Sequence, residues 1–218
     1  MSRLVLVILG KQGAGKGTQC ARLSARYEIP HVSTGDILRA AVKAGSPLGR
    51  EVASVLESGG LVSDDLVNRL VASRFTEPDA RRGALLDGFP RTIGQAAALD
   101  ELLGEDGVSL CINLDVPNEL AVARLSSRRV CVECKTIYRD TDPEAISGTC
   151  SNCGGDVIQR SDDTPEAIAA RLALYERDTA PLLDFYAARG LLVTLDGARD
   201  ADVVTADIEA VIAARGLS

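Results

Sequence analysis

The chain opens on an uninterrupted apolar run, LVLVIL over residues 4–9, which stops at Gly10 and Lys11. A run this short, closed by glycine, is the pattern of a strand buried on both faces by flanking helices. GALLDGF at residues 83–89, SLCINLDV at 109–116 and GLLVTLDG at 190–197 share the pattern, and HVS at 31–33 is a weaker instance. Between these runs the apolar positions fall at helical spacing. They predict helices over residues 16–27, 36–44, 48–58, 63–74, 94–103, 118–128, 165–177, 181–189 and 201–215. Strand and helix in alternation imply parallel strands joined by right-handed crossovers, hence a three-layer α/β fold on a parallel five-stranded sheet. Two stretches interrupt the alternation. Residues 33–62 are helix-rich, and residues 127–163 hold four Cys, GG and SG steps and few large apolar residues, so both are expected to be inserts. Residues 1–32, 63–126 and 164–218 are left as the core.

At 218 residues and 46% hydrophobic content, the chain can bury one sizeable core with small insertions. The opening run is too short for a signal peptide or a membrane span, so the expectation is a soluble, cytoplasmic, monomeric protein with no membrane partner. A net charge of −7 opposes broad attraction to nucleic acid or anionic lipid, so any basic site must be local. Cys131/Cys134 and Cys150/Cys153 form two CxxC pairs fifteen residues apart. In a chain without an export signal that spacing points to a closed, four-sulfur structural zinc site, with no open position for chemistry. Cys20 and Cys111 stand alone in apolar surroundings and read as inert buried thiols.

Residues 10–18, GKQGAGKGT, nearly match the phosphate-loop pattern GxxxxGK[ST], but Gly17 stands where the magnesium-binding hydroxyl belongs and Thr18 follows one place on. The glycines let backbone N–H groups close around an anion, the following helix adds its positive end, and Lys16 supplies a mobile cation. With the hydroxyl displaced, Asp87, at the end of the next clear strand, is the candidate to hold magnesium, or else a turn cap.

GKQGAGKGTQ, STGDILR at residues 33–39, GGLVSDDLV at 59–67, LLDGFPRTIGQA at 85–96 and the cysteine block at 128–163 occur in the order found in adenylate kinases, and together they span nearly the whole chain. The chain resembles the long bacterial form, whose lid carries a four-cysteine zinc site. The resemblance implies the P-loop nucleoside monophosphate kinase fold, with an NMP-binding insert, a lid, and magnesium held largely through water. It implies transfer of a phosphoryl group from Mg·ATP to AMP, giving two ADP. ATP is then assigned to Gly13, Ala14, Gly15, Lys16, Gly17, Thr18, Arg124, Arg128, Ile137, Tyr138 and Arg199. AMP is assigned to Thr34, Arg39, Gly60, Leu61, Val62, Gly88, Phe89, Pro90, Arg91, Gln95, Arg160 and Arg171. Lys11-Gln12 departs from the family's usual small residue and proline, and Arg139 replaces its usual His.

Phosphoryl transfer needs positioning and neutralisation of charge on phosphate oxygens, for which arginine forks are suited. With four Lys beside twenty Arg, an isolated arginine says little here. Arg39, Arg91, Arg124, Arg128, Arg160 and Arg171 stand out by their neighbours, and Arg124 and Arg128 are expected on one helical face. Lys16, Arg91, Arg128, Arg160 and Arg171 are the expected catalytic set. His31 is the only histidine and reads as structural, and no nucleophile and base pair is evident. That fits a phosphate acceptor, already substantially ionised near neutral pH. Gln95 can donate to and accept from an adenine edge. Asp162 and Asp163 either pair with lid arginines or cap the helix beginning at Pro165. Alternatives are another monophosphate acceptor, a GTP donor, or a zinc-ribbon NTPase that binds nucleic acid. The 3% aromatic content leaves the last few stacking platforms.

Overall fold

A computed structural model describes residues 3–217. Its element order is β1 (Leu4–Leu9), α1 (Lys16–Tyr27), β2 (His31–Ser33), α2 (Thr34–Lys43), α3 (Pro47–Glu57), α4 (Asp64–Phe75), β3 (Gly83–Asp87), α5 (Ile93–Leu103), β4 (Leu110–Asp115) and α6 (Asn118–Ser126). There follow β5 (Arg128–Cys131), β6 (Ile137–Arg139), α7 (Pro143–Ser147), β7 (Val157–Ile158), α8 (Pro165–Leu174), α9 (Pro181–Ala187), β8 (Leu192–Asp196) and α10 (Ala201–Ala214).

The main sheet has the order β2-β3-β1-β4-β8 and is parallel throughout. Alternate residues of its strands enter two separate cores. Val5, Val7, Leu9, Ala84, Leu86 and Cys111 pack on one face with α4, α5 and α9, while Leu6, Ile8, Leu85, Leu110, Ile112 and Leu114 pack on the other with α1 and α10. The continuous apolar runs are thus explained, because a strand covered on both faces has no polar side to show. Glycine-ended β1 sits at the centre, which brings the residues after β1 and β3 to one edge of the sheet.

Two groups of elements lie outside this layering. Helices α2 and α3 pack on each other between β2 and α4. Strands β6-β5-β7 form a small antiparallel sheet whose buried residues are Cys131, Tyr138, Cys150 and Val157.

The expected helix over 118–128 ends early, at Ser126, and Arg128 opens β5. Arg124 and Arg128 therefore do not share a helical face. The expected helices 165–177 and 181–189 are joined by a wide π-helical turn at Tyr175–Thr179. Pro181 has no N–H to give to the preceding turn, and Ala180 N instead reaches back to Tyr175 O at 2.8 Å. Among the described residues, no helix is long and apolar enough to cross a membrane.

Candidate functional site

A cleft of about 1080 Å³ lies at the carboxyl ends of β1, β2 and β3, roofed by the β5–β7 sheet and flanked by α2. The loop between β1 and α1 forms its floor. Gly10 and Gly13 have φ of 135° and 85°, and a Cβ on either would stand 2.5 Å from Leu114 O or 2.7 Å from Ala121 O. No other residue can make this turn so close to the neighbouring backbone. Lys16 Nζ donates to Gly10 O at 2.6 Å and Lys11 O at 2.8 Å, so the loop folds around its own ammonium. Burial lowers the Lys16 pKa to about 8, against the opposing pull of Asp87. Lys11 ties the loop outward, pairing with Glu176 of the π-turn at 3.1 Å.

Asp87, at the end of β3, contacts His31 Nε2 through Oδ2 at 3.2 Å. Burial pushes the carboxyl up, but the His31 contact and the Lys16 charge prevail and hold its pKa below the ordinary value. His31 thus lies against Asp87 and fixes the position of its carboxylate.

Arg91 sits at the head of the segment between β3 and α5. Its Nε donates to Gly88 O at 2.9 Å, and its carbonyl accepts from Thr179 Oγ1 at 2.9 Å. Gln95 holds the same segment from below: Oε1 accepts from Arg91 N at 2.7 Å and Nε2 donates to Asp64 Oδ1 at 2.7 Å. Asp64 also takes Thr92 Oγ1 through Oδ2 at 2.7 Å. Gln95 is therefore a brace for Arg91. Each end of its amide retains the capacity for one further hydrogen bond. Sequence reasoning missed Asp64, whose signal was only an acidic residue in the first turn of α4, where a helix favours one in any case.

Opposite the floor lies the arginine cluster. Arg128 forks onto Asp163 at 2.8 and 2.6 Å, and Arg171 reaches Asp163 at 2.9 Å and Asp162 at 3.3 Å. Arg39 holds Asp36 at 2.6 Å and lies 3.8 Å from Asp162, while Arg160 lies 3.9 Å from Asp36. These contacts link α2 to the segment after β7. Asp162 and Asp163 pair with arginines, and the cap of α8 is Thr164. Burial first, then Arg39 and Arg128, lower the Arg160 pKa to about 10, and burial likewise lowers that of Arg91. Four carboxylates, Asp36, Asp87, Asp162 and Asp163, face six cations, Lys16, Arg39, Arg91, Arg128, Arg160 and Arg171. The cleft has a local excess of positive charge in a chain that is negative overall, which suits a polyphosphate.

The family model described as adenylate kinase matches residues 8–191. The chain is 49% identical over 214 residues to an adenylate kinase of Symbiobacterium thermophilum, covering 96% of this chain and 99% of that protein. It is 47% identical over 207 residues to one from Syntrophomonas wolfei, with 94% and 96% covered, and 46% identical over 207 residues to one from Carboxydothermus hydrogenoformans, with 94% and 97% covered.

The chain belongs to the adenylate kinase family.

Within an adenylate kinase frame, the ATP candidates Gly13, Ala14, Gly15, Lys16, Gly17, Thr18, Arg124, Arg128, Ile137, Tyr138 and Arg199 all border the cleft. So do the AMP candidates Thr34, Arg39, Gly60, Leu61, Val62, Gly88, Pro90, Arg91, Gln95, Arg160 and Arg171. Phe89 does not. It is 2% exposed and packs into the core on one sheet face, so its side chain anchors the segment that carries Arg91. Arg124 is spent on backbone carbonyls, Gly13 O at 3.3 Å and Gly197 O at 2.9 Å, and thereby clamps the phosphate loop to the loop after β8. Arg199 pairs with Asp207 at 2.5 Å. Tyr138 packs in the lid core with its hydroxyl 3.1 Å from Cys150 Sγ, whereas Ile137 is 43% exposed and offers an apolar surface at the cleft.

Adenylate kinases use magnesium with ATP, and the residues here fit it. A Cβ on Gly17 would stand 3.9 Å from Asp87 Oδ2, so the ionised carboxylate occupies the neighbourhood that the missing hydroxyl would have served. The four cysteines also fit a metal. Their sulfurs lie within 4.8 Å of one another, with Cys131–Cys153 and Cys134–Cys150 at 3.5 Å, near the edge of about 3.8 Å expected of a tetrahedral zinc–sulfur site. Hydrogen bonding, first from Thr136, lowers the Cys134 pKa, while against the Gly155 N–H the neighbouring thiols raise that of Cys153, as expected where sulfurs share protons at close range.

Proposed function

We propose that the chain catalyses reversible transfer of the terminal phosphoryl group of Mg·ATP to AMP. The observation that carries this reading is the meeting of the phosphate loop and five arginines across one cleft, where cations outnumber carboxylates. ATP phosphates fit the loop backbone and Lys16, with the base toward Ile137 and the loop carrying Arg199. AMP fits the side formed by Thr34, Arg39, residues 60–62, Gly88, Arg91 and Gln95.

Magnesium, when bound, neutralises charge on the ATP phosphates, and Asp87 is the residue that would hold it through water. Lys16 exchanges its two carbonyl contacts for phosphate oxygens, and Arg91, Arg128, Arg160 and Arg171 stabilise the transferring group. Their carboxylate partners keep these forks in place before substrate arrives. No proton need be removed from a phosphate acceptor, which agrees with a cleft whose one imidazole is engaged by Asp87.

The reading divides the chain into a core of residues 1–32, 63–126 and 164–218, an NMP-binding insert of residues 33–62 and a zinc-bearing lid of residues 127–163. Lid closure excludes water that would otherwise hydrolyse ATP. The contacts of Arg39 with Asp162 and Arg160 with Asp36 support such a closure, because they bring the two inserts together. A cytoplasmic monomer acting on free nucleotides, without nucleic acid or membrane, completes the reading. A coupled assay of ADP formation with ATP and each nucleoside monophosphate tests it. AMP should be preferred, and equal turnover with CMP or UMP, or a preference for GTP as donor, would overturn the assignment.

A further inference from the structure

Behind the cleft floor, three metal-ligating side chains of different kinds meet. Cys20 of α1, His31 of β2 and Asp87 of β3 each present one donor atom, and the three atoms lie within 4.8 Å of one another. A tetrahedral metal with bonds of about 2.0 Å to nitrogen or oxygen and about 2.3 Å to one sulfur holds its ligands about 3.3–3.5 Å apart. His31 Nε2 and Asp87 Oδ2 stand at 3.2 Å, so one edge of such a site exists already. Cys20 is fully buried, while His31 and Asp87 border the cleft and open a path from it.

We infer that Cys20, His31 and Asp87 form a second metal site, selective for thiophilic divalent cations of the zinc class and distinct from the four-cysteine lid. The donor set carries the selectivity. Magnesium takes hard oxygen ligands, whereas one thiolate, one imidazole and one carboxylate suit zinc and leave its fourth position open toward the cleft. Binding forms one metal–sulfur bond and releases the Cys20 proton to solvent, so that thiolate and carboxylate together balance the divalent charge. Burial first, then the charge of Asp87, pushes the Cys20 thiol well up, so the metal–sulfur bond must drive its ionisation, with Lys16 helping and Asp36 opposing. Zinc here draws Asp87 away from Lys16 and from the phosphates, so the site is inhibitory. That last step rests on the proposed role of Asp87; the binding itself does not.

The chain has a single histidine, so its ring resonances report this site alone. Protein whose lid is already loaded with zinc is titrated with further zinc, following the His31 ring by NMR and the retained metal by elemental analysis. His31 should shift with a second equivalent of zinc, and magnesium in excess should not reproduce the shift. Cys20→Ala should weaken that second equivalent at least about tenfold while the lid metal is retained, since even outer-shell changes at metal sites cost this much. His31→Gln, which leaves α1 untouched, should do the same and decides the matter should Cys20→Ala not fold. An unshifted histidine, or a second zinc bound equally well by both variants, overturns the site.

Discussion

Arg171 of α8 and Arg128 of β5 both close on the carboxylate of Asp163, at 2.9 Å and at 2.6 and 2.8 Å. The Asp163 side chain is fully buried. One anion therefore holds two of the proposed catalytic forks; removing it leaves Arg128 without its carboxylate and Arg171 with Asp162 as its one acidic partner, at 2.6 Å to the carbonyl and 3.3 Å to Oδ2.

Asp163→Asn is accordingly expected to destabilise the nucleotide-free protein by about 3 kcal/mol, the lower end for deleting one partner of a buried pair, because the arginines border the cleft and can turn toward water. Saturating ATP should recover part of the loss by offering phosphates to the same arginines. The pH dependence has a definite sign. Burial raises the Asp163 pKa, but Arg128 and Arg171 more than reverse this, so its stabilisation is present above the unfolded carboxylate value of about 3.9 and is lost as pH falls through the lower folded value. Urea unfolding across that range should show a shallower acid decline in Asp163→Asn; parallel curves would refute the pairing as a stability element.

Lys16→Met and Arg91→Ala are each expected to lower kcat by roughly a thousandfold or more, the range for losing a cation that meets the transition state. Near-normal turnover by either variant, with an intact circular dichroism spectrum, would remove that residue from the site.

The lowered pKa of Lys16, about 8, gives a kinetic signature. The profile of kcat/KM for Mg·ATP reports the free enzyme and should fall above about pH 8 as Lys16 loses its proton. Bound phosphates favour the charged form, so the fall in kcat should lie at higher pH. Coincident limbs in the two profiles would contradict this.

Gln95→Ala is expected to act twice, weakening the preference for AMP over CMP and UMP and lowering kcat, because the amide also braces Arg91. Asp64→Ala removes the support beneath Gln95 and should lower turnover while preserving more of the base preference. If Gln95→Ala keeps the original ratio of monophosphates, it is no base reader.

The purified protein should contain about one zinc per chain when only the lid is filled, and Cys150→Ser should lose it, lower the melting temperature and expose the lid to protease. The core has its own two apolar clusters and should stay folded. Full lid protection without metal, or unfolding of the whole chain from one cysteine change, would defeat the anchoring role.

The five strands of the parallel sheet were legible because burial on both faces writes itself as continuous apolar runs: residues 4–9 and 31–33 match their strands and the other three differ only at their ends, whereas β5, β6 and β7, short and covered on one side, left no such run. Arg128 was misplaced on a helix because the helical pattern of residues 118–126 runs on into polar residues, and lid pairing, not local propensity, sets the boundary. Asp64 left only the signal of an acidic first turn, since its role depends on meeting Gln95 across thirty-one positions of sequence. The carboxylate partners of the arginines were equally open in sequence. Whether Asp162 and Asp163 cap a helix or hold a guanidinium is decided only once the lid segment folds back on α8.

Strand β1 is the first made and lies at the centre of the sheet, yet both of its neighbours come much later, β3 beginning at Gly83 and β4 at Leu110. A chain emerging from the ribosome must therefore carry LVLVIL unpaired from Leu9 until Gly83 and the rest of β3 have been made. Parallel pairing closes long loops and is slow for that reason. An apolar strand left unpaired in this way is exposed to wrong association with other chains before its partners arrive. Helix α1 immediately after it gives the nascent chain one apolar surface with which to cover Leu6 and Ile8 in the meantime.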